Sequence, residues 1–232
     1  MNIKQFRYSA DNLGYLIYGK RSAMAIDGGA AGDILDFVEA NNLELHYVTN
    51  THSHMDHTTG NAALLKGSGA SFLEYGKLIE DGSVEIEGEI IKVYPTPGHT
   101  DDCIVFYLDN TLISGDTLFI GKVGRCFTGD HKRFLESVKL IMEFPEDTEI
   151  YPGHDYVEEY LDFVRMFEPD NPDVDPVHKS YDPNHVRSTL EQEFRIDPFL
   201  RFNDKKIISI LESRNLPCST ESERWESLLS IM

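Results

Sequence analysis

Five of the nine histidines in this 232-residue chain fall in three short segments that also carry acids. These are Thr51-His52-Ser53-His54-Met55-Asp56-His57, Gly98-His99-Thr100 and Gly153-His154-Asp155, and a fourth segment, Ser114-Gly115-Asp116-Thr117, adds a carboxylate. Imidazole nitrogens and carboxylate oxygens suit zinc, iron and manganese alike. One tetrahedral or five-coordinate ion takes three or four protein ligands. Five imidazoles with Asp56 and Asp116 are therefore too many for one ion and about right for two divalent ions sharing a bridging carboxylate. Paired ions activate water and polarise a carbonyl or phosphoryl oxygen, which is the chemistry of a two-metal hydrolase. Three imidazoles and an acid packed into seven residues repel one another on charging unless a cation sits among them. His46, His131, His178 and His185 stand apart from these segments and read as surface or core histidines.

Such ligands converge only if the elements carrying them do. Leu16 to Tyr18, Ala23 to Ile26 and Leu45 to Thr49 read as strands, with a helix from Ala31 to Asn41 whose Ile34, Leu35 and Val38 share a face. A small-residue helix is expected around Asn61 to Leu65. Extended chain follows from Val84 to Val93, Ile104 to Leu108 and Thr111 to Ser114, the last two joined by an Asp109-Asn110 hairpin turn. A helix from Lys132 to Met142 and a strand from Glu149 to Tyr151 complete an alternating pattern, so the class is α/β. Each polar segment lies just past an apolar run, where strand ends of an α/β sheet face a ligand crevice. His99, Asp116 and His154 each follow a glycine, which permits a sharp turn and close backbone approach. The acid- and proline-rich stretch from Glu168 to Asp173 reads as a linker or exposed loop. Beyond it, roughly Pro183 to Met232 reads as helical, with Trp225, Leu228, Leu229 and Ile231 as an apolar stripe.

Twenty-one basic against 40 acidic side chains leave a net charge of −19. That field repels duplex DNA, RNA and anionic membranes, so neither nucleic acid nor membrane is expected as a partner. Cys103, Cys126 and Cys218 are an odd number without a CxxC pair, which fits a reducing compartment. The N-terminal segment lacks an apolar signal core, and the expected location is the cytoplasm.

The four segments, in this order, resemble those of the metallo-β-lactamase superfamily. Within it, Gly115-Asp116-Thr117-Leu118-Phe119 with Val123-Gly124-Arg125, Tyr151-Pro152-Gly153-His154-Asp155-Tyr156 and the tail segment Asp197-Pro198-Phe199-Leu200-Arg201 resemble the glyoxalase II (hydroxyacylglutathione hydrolase) family. The resemblance implies a four-layer αβ/βα sandwich over residues 1–160 and a C-terminal helical substrate-binding domain over 161–232. It implies His52, His54 and His99 on a first metal, Asp56, His57 and His154 on a second, and Asp116 bridging them. Asp56 and Asp116 are thereby the implied catalytic carboxylates, and zinc is the first expectation for the metals, with iron or manganese as alternatives.

The resemblance also implies carrier contacts from Arg125, Tyr156, Arg195 and Arg201. Phe127 stands where relatives carry a glutathione-contacting tyrosine, and Phe194 stands where they often carry a basic residue. Asp102 has no role in this reading. The implied reaction is hydrolysis of S-D-lactoylglutathione, or a related 2-hydroxyacyl thioester, to D-lactate and free thiol by a monomer or small homo-oligomer. The rival within the superfamily is a mononuclear-iron persulfide dioxygenase, and from another class a catalytically silent, metal-stabilised binding or sensor protein. A β-lactamase fits the N-terminal segment poorly and a nuclease fits the charge poorly.

Overall fold

In the computed structural model, which describes residues 1–231, strands β1 (Asn2–Tyr8), β2 (Asn12–Tyr18) and β3 (Ser22–Ile26) run antiparallel in succession. Helix α1 (Ala31–Ala40) crosses to β4 (Glu44–Thr49), parallel to β3. Helices α2 (Met55–Thr58) and α3 (Asn61–Ser68) then lead to β5 (Ser71–Phe72), parallel to β4. After α4 (Tyr75–Asp81), strands β6 (Ser83–Ile86), β7 (Glu89–Pro95), β8 (Ile104–Leu108) and β9 (Thr111–Gly115) form an antiparallel meander. Helix α5 (His131–Ile141) returns the chain to β10 (Glu149–Pro152), parallel to β9. The remainder holds α6 (Val157–Phe167), α7 (Val174–Ser180), β11 (Ser188–Thr189), α8 (Leu190–Ile196), α9 (Lys205–Ser213) and α10 (Glu221–Ser230). One sheet has the order β1-β2-β3-β4-β5 and the other β11-β10-β9-β8-β7-β6.

Alternate residues of each strand build the layers. Leu13, Tyr15 and Ile17 of β2 meet Ile104 and Phe106 of β8 between the sheets. Leu16, on the opposite face of β2, packs with Ile34 and Val38 of α1 and Leu64 of α3. On the far side, Val105, Leu112 and Ile150 pack with Phe134, Val138 and Ile141 of α5. The result is helix, sheet, sheet, helix, the four-layer arrangement expected. Central strands buried on both faces need apolar residues throughout, which is why they read as runs rather than as alternation. The Asp109-Asn110 turn forms as expected, with φ of 45° and 62° at its two residues. A two-residue hairpin of the favoured twist requires positive φ at both, and short polar side chains tolerate it without glycine. Strand β1 carried no such signal, because it lies at a sheet edge and only Phe6 of it is buried.

The tail is bound into this core. Strand β11 pairs with β10, and Trp225 is fully buried against Phe134, Phe199 and Phe202. Helix α6 runs unbroken through residue 160. The helical reading of the tail holds for α8, α9 and α10, while Met232 lies outside the described residues. The stretch from Glu168 to Asp173 is a loop, as expected, with Pro169, Asp170 and Pro172 exposed, but Glu168 at its start is buried and accepts both Nη1 and Nη2 of Arg201. A carboxylate answered by a bidentate guanidinium can leave water, which composition alone does not reveal. Among the described residues, no helix is long and apolar enough to cross a membrane.

Candidate metal centre

The four polar segments follow β4, β7, β9 and β10, and their donors meet at one edge of the two sheets. Ligand atoms of His52, His54, His99 and Asp116 lie within 4.8 Å of one another, as do those of Asp56, His57 and His154. Asp116 touches both groups. Its Oδ2 lies 3.4 Å from His99 Nε2 and 3.5 Å from His154 Nε2, and its Oδ1 lies 3.4 Å from His57 Nε2. Asp56 Oδ2 is 3.3 Å from His154 Nε2 and 3.6 Å from His57 Nε2.

Two glycines make this convergence sterically feasible. Gly115 holds φ of +52° just before Asp116, a conformation costly for a residue with a Cβ. At Gly153 a Cβ would stand 2.2 Å from Asp116 Oδ1, so only glycine lets β10 pass behind the carboxylate.

The outer nitrogens of four imidazoles are held by acceptors. His57 Nδ1 donates to Asp27 Oδ2 at 3.0 Å, and His154 Nδ1 donates to Asp11 Oδ1 at 3.0 Å. His99 Nδ1 donates to the Arg125 carbonyl at 2.9 Å. Thr51 Oγ1 donates to Asp27 Oδ2, so its lone pairs are free to accept from His52 Nδ1 at 3.1 Å. With the proton spent outward, each Nε2 turns a lone pair inward. Such acceptors behind ligand imidazoles set the tautomer and raise basicity toward a metal.

The lone pairs then face each other. His57 Nε2 and His154 Nε2 are 3.2 Å apart, His52 Nε2 and His54 Nδ1 2.9 Å, and His99 Nε2 and His54 Nδ1 2.9 Å. Asp116 Oδ1 is buried without a hydrogen-bond partner. Ligands at ~2.0–2.1 Å from a tetrahedral zinc are about 3.3 Å from one another, which is the scale of these separations. The donor set therefore suits divalent metal binding.

The protonation energetics agree. Burial and the neighbouring His57 push His52 down to about 4, and burial lowers His99. Burial alone would lower His57 too, yet Asp27 and Asp116 raise it to about 11. Burial alone would raise Asp116, but the neighbouring His154 and His57 hold it well below the carboxylate range. The cluster attracts positive charge to its centre and keeps its carboxylates ionised, as a cation site must.

Beyond the cluster, Phe127 is 59% exposed, with its ring 5.7 Å from that of His54 and 5.1 Å from that of His99. The Arg125 guanidinium lies 5.4 Å from the centre of the Phe127 ring. Tyr156 stacks on His154, ring planes 5° apart. Arg195 and Arg201 engage carboxylates of the tail. Arg195 pairs with Glu191, and Arg201 is nearly buried between Glu168 and Asp204. Asp102, close behind the histidine segment, accepts from Thr100 Oγ1 at 2.6 Å.

Asp11, Asn12 and Asp27 were missed by the sequence reading. Asn12 donates to Asp56 Oδ2 at 2.9 Å. Asp27 directly follows β3, and its φ of 52° there aims the side chain at the ligand loop. No local signal distinguishes such a turn from an ordinary one.

Fold and site together define a metallo-β-lactamase-type protein with two adjoining clusters of metal-ligand type. The metallo-beta-lactamase superfamily model matches residues 12–72 and 71–154, and the model of the hydroxyacylglutathione hydrolase C-terminus matches 155–228. A hydroxyacylglutathione hydrolase from Vibrio campbellii is 32% identical over 98% of this chain and 99% of its own length. One from Pelagibacter ubique is 31% identical over 91% and 97%. Among solved structures, ETHE1 from Myxococcus xanthus superposes with a TM-score of 0.67 at 24% identity, covering 100% of this chain and 99% of its own. The BLEG-1 B3 metallo-beta-lactamase superposes with 0.66 at 21%, covering 86% and 99%; both likenesses bear on the fold alone. The chain belongs to the hydroxyacylglutathione hydrolase family of the metallo-β-lactamase superfamily.

Proposed function

We propose that this protein is a binuclear-metal thioester hydrolase that converts S-D-lactoylglutathione, or a related 2-hydroxyacyl thioester, to D-lactate and free thiol. The observation that carries this is one chain holding both the seven converging donors and a tail matching the hydroxyacylglutathione hydrolase C-terminus over residues 155–228. In this reading His52, His54 and His99 hold one ion, Asp56, His57 and His154 the other, and Asp116 bridges them. Two divalent ions, zinc first among the candidates, would supply activated water at neutral pH and a Lewis acid for the thioester carbonyl.

The remaining work falls to the protein. Asp11 and Asp27 fix the tautomers of His154 and His57, and Asn12 steadies Asp56. Phe127 gives the acyl-sulfur region an apolar wall, and Arg125 meets a charged end of the carrier. The departing thiol has a pKa of roughly 8.5, so it leaves as thiolate and needs no strong general acid. Residues 161–232 act as the carrier-binding part. Leu229 and Ser230 of α10 line a cavity together with Arg125, and Arg195 and Arg201 would add basic charge from the tail. The three free thiols fit a cytoplasmic location.

Metal analysis of the purified protein beside a thioester hydrolysis assay tests the reading. Two ions per chain with turnover of S-D-lactoylglutathione are expected. One iron per chain, oxygen consumption with a persulfide and no thioester turnover would instead establish the dioxygenase alternative. Bound metal with neither activity would establish the binding or sensor protein.

A further inference from the structure

Lys122 is buried at 8% exposure, the only lysine or arginine so placed among the described residues. Its Nζ sits 4.7 Å from the ring centres of both Tyr160 and Phe163 on α6. No carboxylate oxygen of the described residues lies within 4.0 Å of it and no acceptor hydrogen-bonds it; Glu159 and Asp197 act on it only from further away. Aromatic faces offset part of the cost of burying an ammonium, but an unpaired buried charge stays unfavourable until an anion reaches it.

An anion has a way in. Lys122 and Arg125 line the same cavity of about 420 Å³ together with His131 of α5 and Leu229 and Ser230 of α10. Arg125 makes no ion pair with the described residues either, in a chain carrying 40 acids against 21 bases. Two uncancelled cations on one cavity make a local positive field within a strongly negative molecule. Phe127 lies under the Arg125 guanidinium and meets His54 and His99 edge-on, so Arg125 stands between this cavity and the residues of the metal centre. The placement of Lys122 is fixed rather than incidental, because Gly121 N donates to the buried Glu193 Oε2 of α8 at 2.7 Å.

We propose that Lys122 is the second half of an anion clamp, its ammonium and the Arg125 guanidinium together taking a carboxylate-bearing end of the thiol carrier. This rests on the thioester-hydrolase reading and makes Lys122 a specificity-determining residue that selects peptidic thioesters over neutral ones. A short neutral thioester leaves both cations unanswered, whereas a tripeptide carrier reaching from the acyl sulfur past Phe127 answers them.

Calorimetric binding of S-methylglutathione, whose blocked thiol does not coordinate metal, is compared with binding of its diamide, in which both carboxylates are capped. The wild type should bind the acid about tenfold or more tightly than the diamide, the scale of a charged hydrogen bond. Lys122→Met, which keeps the stem between the rings, should lose about tenfold on the acid and little on the diamide. Lys122→Arg should recover most of the loss. In turnover, KM should follow these changes while kcat stays within about twofold.

Equal affinity of the wild type for acid and diamide overturns the clamp, and that measurement needs no variant to fold. Equal losses by Lys122→Met on both ligands, or none on either, also overturn it. A wild type that hydrolyses S-D-lactoylglutathione but ignores the carboxylates loses the clamp and keeps the hydrolase reading. One that binds S-methylglutathione through Lys122 yet cleaves no thioester does the reverse.

Discussion

Asp27 Oδ2 lies 3.0 Å from His57 Nδ1, and neither residue is exposed to solvent. The same carboxylate accepts from Thr51 through both its backbone N and its Oγ1. One turn residue therefore fixes the start of the histidine segment and the orientation of its last imidazole. Asp27→Asn should weaken metal affinity by about 10–100-fold, because the amide is a poorer acceptor for the imidazole N–H and carries no charge to support it. Competition with a chelator, read by metal content, measures this; an unchanged affinity would reduce Asp27 to a folding residue.

Asp116→Asn tests the bridge. A neutral amide joins two cations poorly, so one ion should be lost or weakly held and kcat should fall by about a hundredfold or more. The fold should persist, since Asp116 is surrounded by imidazoles that the substitution leaves in place. Full metal content with near-normal turnover would show that the two clusters are independent.

Arg125 stands over Phe127, away from the reacting carbonyl in the proposed reading. A contact equally strong in ground and transition states changes KM and leaves kcat alone. Arg125→Ala should cost ~1.5–3 kcal/mol in KM on S-D-lactoylglutathione. On a short neutral thioester it should change little. Steady-state kinetics on both substrates decide the matter, and a loss confined to kcat would place Arg125 at the reaction instead.

Glu193 gives a pH prediction away from the metals. It is fully buried, with Oε2 accepting from Gly121 and Oε1 unpartnered, and burial pushes its carboxyl up to about 7. The folded state therefore holds a proton that the unfolded chain, with an ordinary glutamate near 4.5, releases. Its stabilising contribution is complete below pH 4.5 and is lost as pH rises toward about 7. Glu193→Gln should melt higher than the wild type at pH 8 and lose that advantage near pH 4. Parallel melting curves across the whole range would show that Glu193 does not titrate on folding.

The residues that converge on the centre were legible before any fold, because donor chemistry is local: three imidazoles and an acid fall within seven residues of chain. Strand β9, just ahead of Asp116, was legible too, since it is buried on both faces and reads as an apolar run. Strand β1 carried no such run, and the burial of Glu168 depended on Arg201, 33 residues away in sequence.

What the sequence determined alone was therefore the donor set, the glycines beside it and the alternation of elements that delivers it. Tertiary structure decided which acids stand behind the histidines, that Arg195 and Arg201 serve ion pairs of the tail, and that Lys122 is buried without a partner. Asp11 approaches His154 across 143 positions of chain, and Tyr160 and Phe163 enclose Lys122 from another helix. A charge's partners and its solvation are set by what folds against it, and composition and spacing carry no record of that.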